Sequence, residues 1–260
     1  MASTFALQKS ELIDKAHASM EQVFVDQTWT LRQKLALTCR ILFDAGHSSS
    51  LSGQVSARAV PNGTFCTQQF GLGLDEIRES NLVHVNEDLE VIDGRGMANP
   101  ANRFHAWIYR HRADTNCIVH THSPHVSALS MLETPLVVSH MDFCPLYDDC
   151  AFLSSWPGVP VGNEEGEIIT LALDNKHAVL LAHHGYLVAG RTIEEACILA
   201  LLIERAAKAQ LLAMAAGEIK HLAPELALEA RTWMTTEKRY AATFAYYVRA
   251  ALRHHADCLT

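Results

Sequence analysis

The stretch Cys-Ile-Val-His-Thr-His-Ser-Pro-His-Val, residues 117–126, sets three histidines within six positions directly after an apolar run. If Cys117 to Thr121 is a β-strand, side chains alternate between its faces, and His120 and His122 project on the same side. A lone histidine there would be an ordinary hydrogen-bonded core residue, whereas two imidazoles on one strand face can act as paired metal donors. A further donor is available where the apolar run Ala178 to Ala182 meets His183-His184-Gly185. Alternation sends those two histidines to opposite faces, so at most one joins the first pair. Three imidazoles with an open coordination position are the donor set of a catalytic divalent metal, not of a closed structural site.

These donors need a frame. Ser123-Pro124 suits the cap and first turn of a helix whose apolar positions Val126, Leu129 and Met131 continue the core, so the first pair sits at a strand-to-helix corner. Upstream, apolar residues at 31, 35, 37, 41, 42 and 45 predict a helix that Gly46 stops. Alternating Val55, Ala57 and Ala59, the turn Pro61-Asn62-Gly63 and the run Thr-Phe-Cys-Thr-Gln predict a hairpin, and short strands follow at Asn-Leu-Val-His-Val-Asn and Leu-Glu-Val-Ile-Asp. Phe104, Trp107 and Ile108 have helical spacing, and Pro-Leu-Val-Val-Ser-His-Met reads as a strand. The aperiodic segment 142–166, rich in Pro, Gly and Asp, reads as a long functional loop, and a helix at 164–175 follows it. The helix from Thr192 to Gly217 is apolar round most of its circumference, with a Thr192/Glu195 capping box, and a last helical region covers 237–258. The expected class is α/β: a single domain over 1–260 with a central mixed, mostly antiparallel β-sheet and helices on both faces.

Composition narrows the partners. A formal net charge of −8 without a basic cluster argues against nucleic acid and anionic membranes, and no apolar run is long enough to span a bilayer. The first sixteen residues carry acidic groups and lack an extended apolar stretch, so no secretory signal is expected. Seven scattered cysteines without Cys-x-x-Cys fit reduced thiols in a cytoplasm; Cys144 and Cys150 lack zinc-motif spacing and read as small buried residues.

Four segments in this order and spacing resemble the class II aldolase/adducin family: Ser-Gly-Gln-Val-Ser-Ala-Arg, the Phe104-His105 helix, Cys-Ile-Val-His-Thr-His-Ser-Pro-His-Val-Ser-Ala-Leu-Ser-Met-Leu, and Leu-Leu-Ala-His-His-Gly-Tyr-Leu-Val-Ala-Gly-Arg-Thr-Ile-Glu-Glu-Ala. The likeness covers residues 30–217, leaving 218–260 as a C-terminal helical region. That family includes sugar-phosphate aldolases, an epimerase, metal-dependent decarboxylases and the noncatalytic head of adducin. The resemblance implies a zinc or manganese ion on His120, His122 and His184, with His183 facing away. It also implies a homotetramer with active sites between subunits, and places the substrate near Gly53, Gln54, Gly71 and Asn102.

This chain departs from the family pattern at the chemistry. Where family aldolases carry Ser-Ser-Glu, with phosphate-binding serines and a proton-transfer glutamate, it reads Asn99-Pro100-Ala101, and no acidic residue occurs between Gly94 and Asp114. The Gly-Asn-x-Ser loop reads Gly53-Gln54-Val55-Ser56 and the Thr-Gly phosphate turn reads Phe70-Gly71. A sugar phosphate is therefore not the expected substrate. A divalent metal can hold two adjacent oxygens of a hydroxy-carbonyl or hydroxy-acid compound and stabilise the charge left when a C–C bond breaks. Decarboxylation needs an acid to protonate the product and no carbon-acid base, so the missing glutamate favours it, with aldol cleavage still open. The candidate catalytic residues are His140, as proton carrier or strand-end residue, Tyr147, as acid or packing, and Arg103, as carboxylate clamp or solvated surface. His105 reads as an outer donor, a fourth ligand or a plain buried histidine. The expected function is a metal-dependent C–C lyase; the alternatives are an adducin-head-like binding module, which shares the Asn-Pro-Ala stretch, and an epimerase or dehydratase of the same family.

Overall fold

The computed structural model describes residues 4–24 and 28–260. In chain order the elements are α1 (Lys9–Val23), α2 (Leu31–Asp44), β1 (Gln54–Arg58), β2 (Thr64–Gln68), β3 (Leu82–Asn86), β4 (Val91–Asp93), α3 (Asn102–His111), β5 (Cys117–Thr121), α4 (Pro124–Met131), β6 (Cys150–Leu153), α5 (Asn163–Leu173), β7 (Ala178–Leu181), β8 (Gly185–Gly190), α6 (Ile193–Ala216), α7 (Pro224–Met234) and α8 (Glu237–Ala251). The strands form one sheet in the order β4-β3-β2-β1-β5-β8-β7-β6, antiparallel throughout except for β6 beside β7. That is the mixed, mostly antiparallel α/β sheet expected from the patterning.

Alternation on β5 divides the core. Cys117 and Val119 join Leu35, Leu42, Leu199, Ile203 and Phe244 on one face, under α2, α6 and α8. Ile118 joins Phe104, Ile108, Ile169 and Leu173 on the other, under α3 and α5. Helices thus cover both faces, and each fully buried Leu, Ile or Phe contributes about 1.5–3 kcal/mol by leaving water. His120 follows Ile118 by two residues, so it lies on the α3 side, where the ring of Phe104 meets it edge-on at 5.1 Å. Among the described residues, no helix is long and apolar enough to cross a membrane.

Several elements differ from the sequence expectation for identifiable reasons. Pro-Leu-Val-Val-Ser-His-Met forms no strand: Val137 N–H donates to Gln210 Oε1 (2.8 Å) and Gln210 Nε2 to the Pro135 carbonyl (3.0 Å), so a side chain on α6 replaces a sheet neighbour. The long loop is interrupted by a 3-10 turn, Met141–Leu146, and by β6, whose four residues are too few to show periodicity. Thr192 caps α6 by accepting the Glu195 N–H (3.1 Å), but Glu195 does not complete the box. Its carboxylate takes the Arg191 N–H and guanidinium instead, each at 2.7 Å. Sequence reading also omits α1, none of whose residues is buried; the C-terminal helical region expected over 218–260 forms as two helices, α7, which buries Ala227 alone, and α8.

Candidate metal centre

His120 is the fourth residue of β5 and pairs in register with Gln54 of β1 and Leu187 of β8. His122 lies just past the strand end. His184 arrives from the turn of the β7–β8 hairpin, in which Leu181 pairs with Gly185. The three rings converge, with centroids 4.9, 4.8 and 4.7 Å apart and planes 62° to 81° from parallel, so they are directed toward a common point and not stacked. One nitrogen from each ring lies within 4.8 Å of the other two, and those of His120 and His122 are 3.1 Å apart.

Two glycines permit this approach. At Gly185 a Cβ would stand 2.6 Å from the Thr121 carbonyl oxygen and 2.9 Å from the His122 ring, so any side chain would push the hairpin away. Gly53, with φ +94°, lies against the His120 carbonyl, where a Cβ would come to 2.9 Å. The Gly of the His-Gly motif is thus required by packing.

Whether these residues fit a metal ion is tested by their protonation and tautomer. His120 Nδ1 donates to the Tyr186 carbonyl at 2.7 Å, which leaves Nε2 as the ring's lone-pair nitrogen. Burial, then the neighbouring rings of His184 and His122, pushes the His120 pKa well below that of an ordinary histidine. Burial also lowers His122, and burial followed by the His122 charge lowers His184 to about 4. All three are therefore neutral at neutral pH, the form that binds metals, and the donor set fits an open three-histidine site.

The centre opens into a cleft of about 470 Å³, lined by Gly53 and Gln54, by Asn99 to Ala101 ahead of α3, and by Trp156 and Val159 to Val161 of the loop after β6. His183 lines it too, contrary to the expectation that it faces away. It sits in the hairpin turn with φ +56°, not on a strand, and its Nε2 meets Glu133 at 2.8 Å. Beneath the cleft, α3 packs polar groups on β1 and β2. Asn102 Nδ2 donates to Thr67 Oγ1 (3.2 Å), and Ser56 Oγ bonds both His105 Nδ1 (2.7 Å) and the Tyr109 hydroxyl (2.8 Å). Among the described residues, Gln54 Oε1, Asn102 Oδ1 and His105 Nε2 have no partner in this buried layer.

The other anticipated catalytic residues lie elsewhere in the chain. His140 is exposed; its Nδ1 accepts the Asp142 N–H (3.2 Å), and it lines a separate cavity with Phe143, Gln210 and Lys220. Tyr147 ends the 3-10 turn, where its carbonyl accepts from Arg231 (3.0 Å). Arg103 donates to the Glu87 carbonyl (3.1 Å) and faces Asp88 (3.6 Å), away from the cleft. Asn102 is fully buried behind Ala101, and Gly71 gives its place at the cleft to Phe70. Sequence reading singles out neither Trp156 nor the valines beside it, and the only available signal is the length of their loop.

The sequence pattern of the Class II Aldolase and Adducin N-terminal domain matches residues 33–211, which hold all three converging histidines. This chain belongs to the class II aldolase and adducin family. Within the family it is 30% identical to the Meiotically up-regulated gene 14 protein of Schizosaccharomyces pombe over 210 residues, 78% of this chain and 81% of that one. It is 29% identical to the decarboxylase NovR of Streptomyces niveus over 153 residues, 58% of this chain and 57% of NovR. The L-fuculose 1-phosphate aldolase from Glaciozyma antarctica PI12 has the same fold, with a TM-score of 0.83 at 25% identity over 94% of this chain and 99% of that one. The family thus contains both aldolases and decarboxylases, and this class II aldolase-family chain shares their scaffold.

Proposed function

We propose that this chain is a metal-dependent C–C lyase acting on a small hydroxy-acid or hydroxy-carbonyl compound without a phosphate. The observation that carries the reading is the convergence of three neutral imidazoles, His120, His122 and His184, in one open cleft. They would hold zinc or manganese, which when bound supplies a Lewis acid for two adjacent substrate oxygens. His120 is held in its donor tautomer by the Tyr186 carbonyl, and Gln54, the Asn99–Ala101 turn and the apolar loop after β6 line the same cleft.

Decarboxylation is favoured over aldol cleavage because no carboxylate lines the cleft among the described residues, so a base to take a carbon-bound proton is lacking. NovR, a decarboxylase by name, supports that direction. His140, Tyr147 and Arg103 could act here only if a neighbouring copy presented them, which accords with a homotetramer that places sites between subunits. The free thiols accord with a reducing cytoplasm. A noncatalytic module resembling the adducin head is the second reading, favoured by Asn99-Pro100-Ala101 at the glutamate position. Metal analysis after mild purification decides between them, followed by a screen of hydroxy acids for release of CO₂, pyruvate or aldehyde. Bound zinc or manganese with product release supports the lyase. A protein that takes up neither ion overturns it.

A further inference from the structure

The cleft is chemically two-sided. Its inner end holds the histidines and Gln54; its outer wall is Leu51, Phe70, Trp156, Val159, Pro160 and Val161. Five of those six are large apolar side chains left exposed, Trp156 at 52%. Among the described residues that line the cleft there is no Lys, Arg, Asp or Glu.

The helix start beside the cleft does not make up for the missing cations. The first amides of α3, which follow the lining residues Asn99 to Ala101, are already engaged. Asn102, Arg103 and Phe104 N–H donate to the carbonyls of Asn99, Pro100 and Ala101 at 2.8, 3.1 and 3.3 Å, and Ala101 N–H donates to Asn99 Oδ1 at 3.0 Å. The Phe70 N–H is likewise taken by the Met97 carbonyl at 2.8 Å. Away from the cation proposed on the histidines, a phosphate with close to two negative charges would find neither a charged side chain in the lining nor free first-turn donors on α3, and burying it uncompensated is costly. An apolar group there removes both its own surface and part of this exposed apolar wall from water.

We propose that the substrate carries an uncharged aromatic or branched apolar group on its hydroxy-acid head, and that Trp156, Phe70 and Val161 receive it. The inference rests on the lyase reading for the head group alone. The wall is continuous with the histidine centre in one cleft, which argues for substrate as its occupant.

Calorimetric titration of the zinc- or manganese-loaded full chain with phenyllactate, lactate and 3-phosphoglycerate tests this, since all three share the 2-hydroxy-acid head. Phenyllactate is expected to bind at least about tenfold tighter than lactate, about 1.4 kcal/mol, with phosphoglycerate no tighter than lactate. Trp156→Ser should bring the phenyllactate-to-lactate ratio toward one, and Val161→Lys should raise phosphoglycerate affinity. Equal affinities in the unmodified protein, preference for phosphoglycerate, or no binding by any of the three overturns the proposal. So does a Trp156→Ser variant that changes the mass in light scattering while keeping the ratio, because the wall would then be a subunit contact. A retained tenfold preference without turnover of any hydroxy acid would remove the lyase reading and leave this one; turnover with equal affinities would do the reverse.

Discussion

His120 of β5 and Tyr186 of β8 are one step out of register, His120 pairing with Leu187 and Thr121 with Tyr186, and the ring nitrogen of His120 reaches across to donate to the main-chain carbonyl of Tyr186 at 2.7 Å. The side chain of Tyr186 goes to the opposite face of the sheet, where its hydroxyl lies 3.0 Å from both Thr121 Oγ1 and His47 Nδ1. One residue therefore serves two layers: its backbone orients a proposed ligand while its phenol anchors the strand from the far side.

Tyr186→Phe separates the two roles. The carbonyl bond to His120 survives, so metal content by elemental analysis should stay near that of the unmodified chain. Thr121 and His47 lose a buried partner but keep their bond to each other (3.1 Å), at a cost of about 0.5–1.5 kcal/mol in denaturant unfolding. A variant of unchanged stability that has lost its metal would contradict this division.

His183 and His184 are adjacent in sequence and differ in the role assigned to them. His184→Ala should lower metal affinity by more than the roughly 10–100-fold that follows loss of an outer hydrogen bond. His183→Ala, which removes only a half-exposed pair with Glu133, should keep the metal. Competition with a chelating dye measures both, and equal losses would show that the turn presents the wrong ring.

His105 makes a pH prediction. Burial lowers its pKa from 6.5 to about 3, so the folded chain keeps it neutral while the unfolded chain takes up a proton. Between those two values the unfolded state binds more protons, and stability must fall as pH drops. The contribution is complete above 6.5 and is lost progressively toward 3. His105→Asn, whose amide can still meet Ser56, should therefore lose less stability between neutral pH and about pH 4.5, by on the order of 2 kcal/mol. Parallel acid-unfolding curves for the two proteins would refute the assignment.

Legibility in the sequence followed the range of the interaction. The bounds of β5, the shared face of His120 and His122, the α6 cap at Thr192 and the Pro61–Gly63 hairpin are set by neighbours a few residues away, and alternation or helical spacing exposes them. The Pro135–His140 segment misled because a strand pattern says nothing of whether a partner strand exists, and here Gln210 on a distant helix takes that place.

The sequence by itself determined the paired histidines, the α/β class and the missing glutamate, because residue identity and two-residue alternation are local properties of the chain. Only the tertiary structure decided that the β7–β8 turn delivers His184 beside them while His183 stays at the rim, and that Arg103, His140 and Tyr147 lie outside the cleft. It also decided that the loop after β6 walls the cleft with apolar side chains. Those outcomes depend on where turns aim their residues and which distant elements cross, and no spacing along one strand or helix encodes that.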